Sequence, residues 1–212
     1  MMTDSIALAV DYLQHRGEKP DPQAVVSALL AAEKQSKQEK RQYHYSDLLG
    51  NWRLGFVSGT QTVRSGSQSR PMKKPGKGRF LPSLVKVEIA YSLRTPTDSA
   101  EFANSLETKP NVRLNKVSNT VAIGSIQLCL SGPTRFWPKP NALAFDFTNV
   151  ALSLGNWTPY TREIRGGKDS SQKFSEYSLK DQAFFSFFLV ESACIAARGK
   201  GGGLALWTRS SS

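Results

Sequence analysis

Residues able to act as acids, bases, nucleophiles or metal ligands are few in this chain and lie far apart. His15 and His44 are the only histidines, and both precede residue 46, so a histidine-based triad or histidine-rich metal site in the body of the chain has nothing to build on. Cys129 and Cys194 each sit in an apolar, strand-like run and form no CxxC or Cys/His cluster. That is the setting of a buried, reduced thiol, and a cross-strand disulfide is not needed at this chain length. Asp146 interrupts the apolar run 142–154 and is the carboxylate to watch, although alternation turns it outward toward a basic neighbour. Asp181 and Glu191 bracket an aromatic run and read as solvated strand ends. No carboxylate pair has a spacing that singles it out for acid–base work, so the expectation is a non-enzyme with no metal site. The run Arg198-Gly199-Lys200-Gly201-Gly202-Gly203 could in principle cradle an anion on its amides. It lacks Ser or Thr after a Gly-Lys pair and leads into Leu204-Ala205-Leu206-Trp207, so it reads as a reversal between two strands.

The elements around these residues are mostly strands. Residues 184–190 (FFSFFLV) are apolar in both alternation phases, with Phe184, Ser186, Phe188 and Val190 facing one way and Phe185, Phe187 and Leu189 the other. Such a strand must be covered on both faces, by an interior on one side and by a helix or a partner on the other. Trp52, Leu54 and Phe56 alternate with Asn51, Arg53 and Gly55, and Val85, Val87, Ile89 and Tyr91 alternate with polar residues in 83–93. Further strands are expected at 112–117, 120–130, 134–137 and 142–154, the last with Leu143, Phe145 and Phe147 on one face. Residues 155–171 read as loop. Eight or more antiparallel strands in one domain must hide their edges, which predicts a meander that closes on itself. Two helices precede it, at 5–16 and from an Asp21 N-cap with Pro22 at the first helical position; their narrow apolar stripes suit them to cover a barrel end or outer face. The organisation expected is an N-terminal helical segment, 1–45, and a β-barrel domain, 46–212.

The net charge of +11 is uneven. No acid lies between Asp47 and Glu88, a span that holds Arg53, Arg64, Arg70, Lys73, Lys74, Lys77, Arg79 and Lys86. Residues 59–78 are polar, basic and low in complexity, and read as a long loop. Besides a solvated loop, an anionic membrane surface is the partner that the basic residues Arg64 to Arg79 fit. Nucleic acid is disfavoured, because no aromatic residue is interleaved for base stacking. No apolar run approaches the ~20 residues of a membrane-spanning helix. The first ten residues resemble neither a secretory signal nor a transit peptide.

Two stretches carry a resemblance. Leu48-Leu49-Gly50-Asn51-Trp52-Arg53-Leu54 resembles the opening strand, Leu-x-Gly-x-Trp-x-Leu, of the plastid lipid-associated proteins, or plastid fibrillins, of plastids and cyanobacteria. Residues 197–209 resemble that family's closing Arg-Gly-x-x-Gly hairpin ending in an arginine. The resemblance spans about 46–209 and is diffuse in the middle. One departure stands out: the acid that often precedes the family's arginine-glycine turn is missing from the uncharged Ala193-Cys194-Ile195-Ala196-Ala197.

The resemblance implies a lipocalin-like, calycin-type barrel. Gly50 and Trp52 would mark its first strand, and Arg209 would pack on Trp52 to plug the closed end, a structural role. It also implies an apolar ligand such as a lipid, quinone or carotenoid, at a thylakoid surface, in the plastid stroma or at a plastoglobule. Candidate interior residues are Trp52, Leu54, Phe56, Val87, Ile89, Phe145, Phe147, Phe185 and Phe187. Alternation alone leaves open whether they fill the barrel or line a cavity. Two rival readings are a bilin-handling lyase or chaperone, since calycin-type barrels also serve there, and a filled-barrel scaffold that binds a protein partner during assembly of photosynthetic or isoprenoid-synthesising complexes.

Overall fold

Strand β1 (Gly50–Val63) hydrogen-bonds to three others, and the barrel is built around it. The computed structural model describes residues 3–63, 72–93, 114–167 and 173–210. After β1 come β2 (Met72–Phe80), β3 (Val85–Ser92), β4 (Asn115–Ile123), β5 (Ile126–Trp137), β6 (Ala142–Phe145), β7 (Asn149–Leu154), β8 (Trp157–Glu163), β9 (Ala183–Val190), β10 (Cys194–Gly199) and β11 (Leu204–Arg209). Eight strands close antiparallel in the order β1-β3-β4-β5-β6-β9-β10-β11, with β11 paired back onto β1. The protein is therefore mainly β, a closed antiparallel barrel as the strand spacing predicts, and consistent with the lipocalin-like kind that the resemblance implies.

Two strands change partner along their length. Strand β1 pairs with β3 through Gly50 to Arg53 and with β2 from Phe56 onward. Strand β5 pairs with β7 through Ile126 to Ser131, then with β6 through Thr134 to Trp137. The sheet thus leaves the barrel twice at the same end, as an arm (β1–β2) and as a wing (the outer parts of β3, β4 and β5, with β7 and β8).

Helices α1 (Asp4–Leu13) and α2 (Pro22–Gln38) lie on the outer face of the barrel. Helix α2 begins as its sequence predicts, with the Asp21 carboxylate accepting the Ala24 N–H at 2.8 Å. Ile6, Val10, Val25, Val26 and Leu29 pack with Phe56, Phe188, Leu189, Ala196, Leu204 and Leu206 in one buried cluster. An ion pair fixes this cover: Glu33 on α2 accepts hydrogen bonds from Nε (2.9 Å) and Nη2 of Arg198 on β10.

Several expectations are corrected. Phe56 does not face the interior. A bulge between Leu54 and Phe56 reverses the alternation, so Leu54 points in and Phe56 points out beneath the helices. At Gly55 the bulge meets α1, and an added Cβ would lie 2.4 Å from both methyl carbons of Leu13. A second irregularity, where β9 meets Ala196 and Ala197, places Phe188 and Leu189 both against the helices and returns Val190 to the inner cluster. The basic stretch 59–78 is strand where it is described, as the end of β1 and most of β2. The run 120–130 is a hairpin turning at Gly124, 142–154 divides into β6 and β7, and 157–163 is strand β8 rather than loop. Arg64 and Arg70 lie outside the described residues.

Candidate functional site: the two ends of the barrel

The closed end is sealed by residues 43–50, which run beneath the sheet. Helix α3 (Tyr45–Leu48) leads into Gly50, whose φ of 117° an L side chain rarely adopts. An added Cβ there would meet the Arg209 guanidinium at 2.6 Å. That guanidinium stacks 4.1 Å above the Trp52 ring, and Trp52 is fully buried. The Arg209 Nε donates to the Ser192 carbonyl at 2.8 Å and Nη1 to that of Leu49 at 3.3 Å, while the indole N–H donates to Leu48 at 2.7 Å. Each donor thus satisfies a loop carbonyl, the arrangement expected of a structural plug.

Tyrosines complete the seal. The Tyr43 hydroxyl donates to the Phe188 carbonyl at 2.9 Å, and the Tyr45 hydroxyl to that of Ser92 at 2.9 Å. Burial pushes the Tyr45 and Tyr91 phenols well above their usual range, so both stay neutral.

Above the plug the interior is aromatic. Trp52, Ile89, Tyr91, Val117, Leu143, Phe187, Ile195 and Trp207 form a buried layer. Phe185 joins the next layer, 5.1 Å from Phe145 and 5.2 Å from Trp207 between ring centroids; Phe147 lies 5.4 Å from Phe145. Leu54, Phe145, Phe147, Phe185 and Ala205 are only half-buried, and they form an apolar floor at the end of the barrel where β1 and β5 change partners. Of the nine candidate interior residues, the fold gathers Trp52, Leu54, Ile89, Phe145, Phe147, Phe185 and Phe187 into this one cluster. Val87 shares the inner face but lies out on the wing, and Phe56 is on the opposite face. Trp207 and Leu143 join the candidates in this cluster. Alternation from Arg209 points to Trp207, since Arg209 pairs with Trp52 and Trp207 with Leu54.

The polar candidates have structural partners. Asp146 receives Arg165 at 3.1 Å and the Phe147 N–H at 2.9 Å, which is the outward, paired setting its alternation predicts. The Lys200 ammonium donates to the carbonyls of Lys180 (2.6 Å) and Gln182 (3.0 Å), while the Gly199 and Gly203 backbones bond at 2.9 Å to close the β10–β11 hairpin. The N–H of His44 donates to Asp47 at 2.8 Å as part of the cap on α3. Burial raises the Cys194 thiol to about 12, and neither cysteine is in a disulfide. Lys77 and Arg79 are exposed on β2, and Lys73 and Lys74 lie in the same strand.

An antiparallel barrel plugged at one end and opening onto apolar side chains at the other is compatible with binding an apolar ligand. Compared with known proteins, the chain matches no family model, no curated protein and no solved structure. No helix among the described residues is long and apolar enough to cross a membrane.

Proposed function

We propose that this protein is a non-enzymatic, lipid-associated barrel that holds one apolar molecule, such as a lipid, quinone or carotenoid, at its open mouth beside an anionic photosynthetic membrane. One observation carries the reading: the half-buried floor of Leu54, Phe145, Phe147 and Phe185, which leaves stacked aromatic surface facing solvent where a globular core would be covered. The resemblance to the plastid lipid-associated proteins supports it, since Gly50, Trp52 and Arg209 meet as that resemblance implies. Lys77 and Arg79 stand exposed at the same end and are placed to meet anionic headgroups, each such residue contributing ~1 kcal/mol near a charged bilayer. Solvent extraction of the natively purified protein, followed by mass spectrometry, tests the ligand. A stoichiometric apolar compound that Phe185→Ala loses is the expected result, and its absence from protein made in a photosynthetic host defeats the reading.

One observation favours the filled-barrel scaffold instead, namely the tight packing of Phe185 between Phe145 and Trp207. A protein partner captured equally well by wild type and by a mouth-blocked Ala205→Trp variant would select the scaffold.

A further inference from the structure

The inner face of the barrel does not stop at the mouth. It continues up the wing in unbroken cross-strand rows. Ile89, Asn119, Leu130, Val150 and Arg162 form the row level with the barrel rim. The next row is Val87, Val121, Leu128, Leu152 and Tyr160, and the outermost is Val85, Ile123, Ile126, Leu154 and Trp157. Five strands at about 4.8 Å spacing make each row about 19 Å wide. Exposure rises toward the tip. Leu128 and Leu152 are each 38% exposed, whereas Ile123, Ile126, Leu154 and Trp157 reach 57%, 55%, 50% and 66%. The opposite face of the same strands is mostly polar and carries no large apolar side chain in this row, with Lys86, Ala122, Gln127, Ser153 and Thr158 behind the outermost row. Nothing among the described residues covers the apolar face, which is larger than the scattered apolar side chains that ordinary surfaces carry.

We propose that this wing is a membrane-docking blade whose apolar tip, Ile123, Ile126, Leu154 and Trp157, seats in the headgroup region of an anionic bilayer and turns the barrel mouth toward the lipid. The order of side chains matches an interface: aliphatic groups at the tip, Trp157 and Tyr160 on the outermost strand, and the Arg162 cation in the row level with the barrel rim. Charge complements it. The arm that leaves the barrel at the same end, residues 59–63 and 72–80, carries Lys73, Lys74, Lys77 and Arg79 and no acid. A second copy added along the edge of the sheet is the poorer occupant. Strand β8 is that edge, and it holds Pro159 and a bulge opposite Leu152 and Leu154, both of which blunt strand addition.

The inference rests on the membrane association proposed above and adds the surface that makes it. It is tested with phosphatidylcholine vesicles, with and without phosphatidylglycerol, by flotation and by quenching of tryptophan fluorescence with bromine-labelled acyl chains. The protein is expected to float with the anionic vesicles and to show a quenched component that Trp157→Phe removes. The pair Ile126→Gln with Leu154→Gln should lower partitioning at least tenfold at unchanged melting temperature, and Lys77→Gln with Arg79→Gln should lower it severalfold and flatten its salt dependence. Flotation with quenching unaltered in Trp157→Phe and binding unaltered in the double variant would overturn the blade while leaving membrane association intact. No flotation of the wild type would remove both and leave the ligand reading standing. A dimer in sedimentation that Ile126→Gln with Leu154→Gln turns into monomer would assign the face to a second copy and overturn the proposal.

Discussion

The strands β9, β10, β11 and β1 and the wing strands β4, β5, β7 and β8 belong to one continuous sheet, yet only the first group is covered on both faces. On that side the barrel cluster packs against one face and α1 and α2 against the other, so Trp52, Phe56 and Leu206 are fully buried. On the wing no described residue covers the inner face, and Trp157 is two-thirds exposed. The two regions share hydrogen-bonded pairing and differ in what lies over it. The difference teaches that stability should reside in the covered side, whereas the wing's apolar residues can be exchanged with little effect on folding.

The sharpest test compares two tryptophans. Trp52→Ala removes a fully buried ring and the surface on which Arg209 stacks, and should cost ~3–5 kcal/mol in denaturant unfolding. A loss below ~1 kcal/mol would break the comparison. Glu33→Gln weakens the ion pair that holds the helical cover and should cost ~1–3 kcal/mol at neutral pH. Burial by itself would raise the Glu33 carboxyl, but the hydrogen bonds and charges of Arg198 and Lys37 outweigh it and hold the group below its ordinary 4.5. Because the folded value is the lower one, this contribution is complete above the ordinary value and disappears as pH falls through the folded one. Melting curves taken from pH 7 downward should therefore converge for Glu33→Gln and wild type as the Glu33 carboxyl protonates, and a gap that stays constant down to acid unfolding would show that the pair does not act through this proton.

Arg209→Lys keeps the charge but loses the planar fork over Trp52, and a loss of ~1 kcal/mol is expected from thermal melts. Smallest of all, Trp157→Ser should change stability by no more than ~0.5 kcal/mol. A large destabilisation there would mean that something covers the wing after all.

What could be read from the sequence was local. The Asp21-Pro22 helix start and the glycine turn at 199–203 each depend on a few residues whose chemistry admits one good arrangement, whereas the Gly50/Trp52/Arg209 set followed from the family resemblance. The two-sided burial of 184–190 was legible for the same reason, because both phases are apolar. The side on which Phe56 and Leu189 fall was not legible, since a single bulge reverses every position beyond it and leaves no mark in composition. Strand β2 was hidden because most of its residues are polar, basic or glycine, and β8 because Trp157 and Tyr160 alternate irregularly around Pro159 and all seven of its residues are exposed, so the ladder on β7 holds β8 rather than burial of its own side chains. The wing went unnoticed because Val85, Ile123, Ile126, Leu154 and Trp157 line up only once five strands are in register.

The pairing of β1 with β11 also bears on how the chain is made. Leu206 and Leu204, part of the surface on which α1 and α2 rest, lie on β11, which leaves the ribosome long after those helices. Until then the apolar stripe of each helix waits without its seat, and ring closure must join segments about 150 residues apart. Such a chain should fold slowly and largely after synthesis, and a chaperone that shields the first 45 residues should raise its yield more than one acting on the later strands.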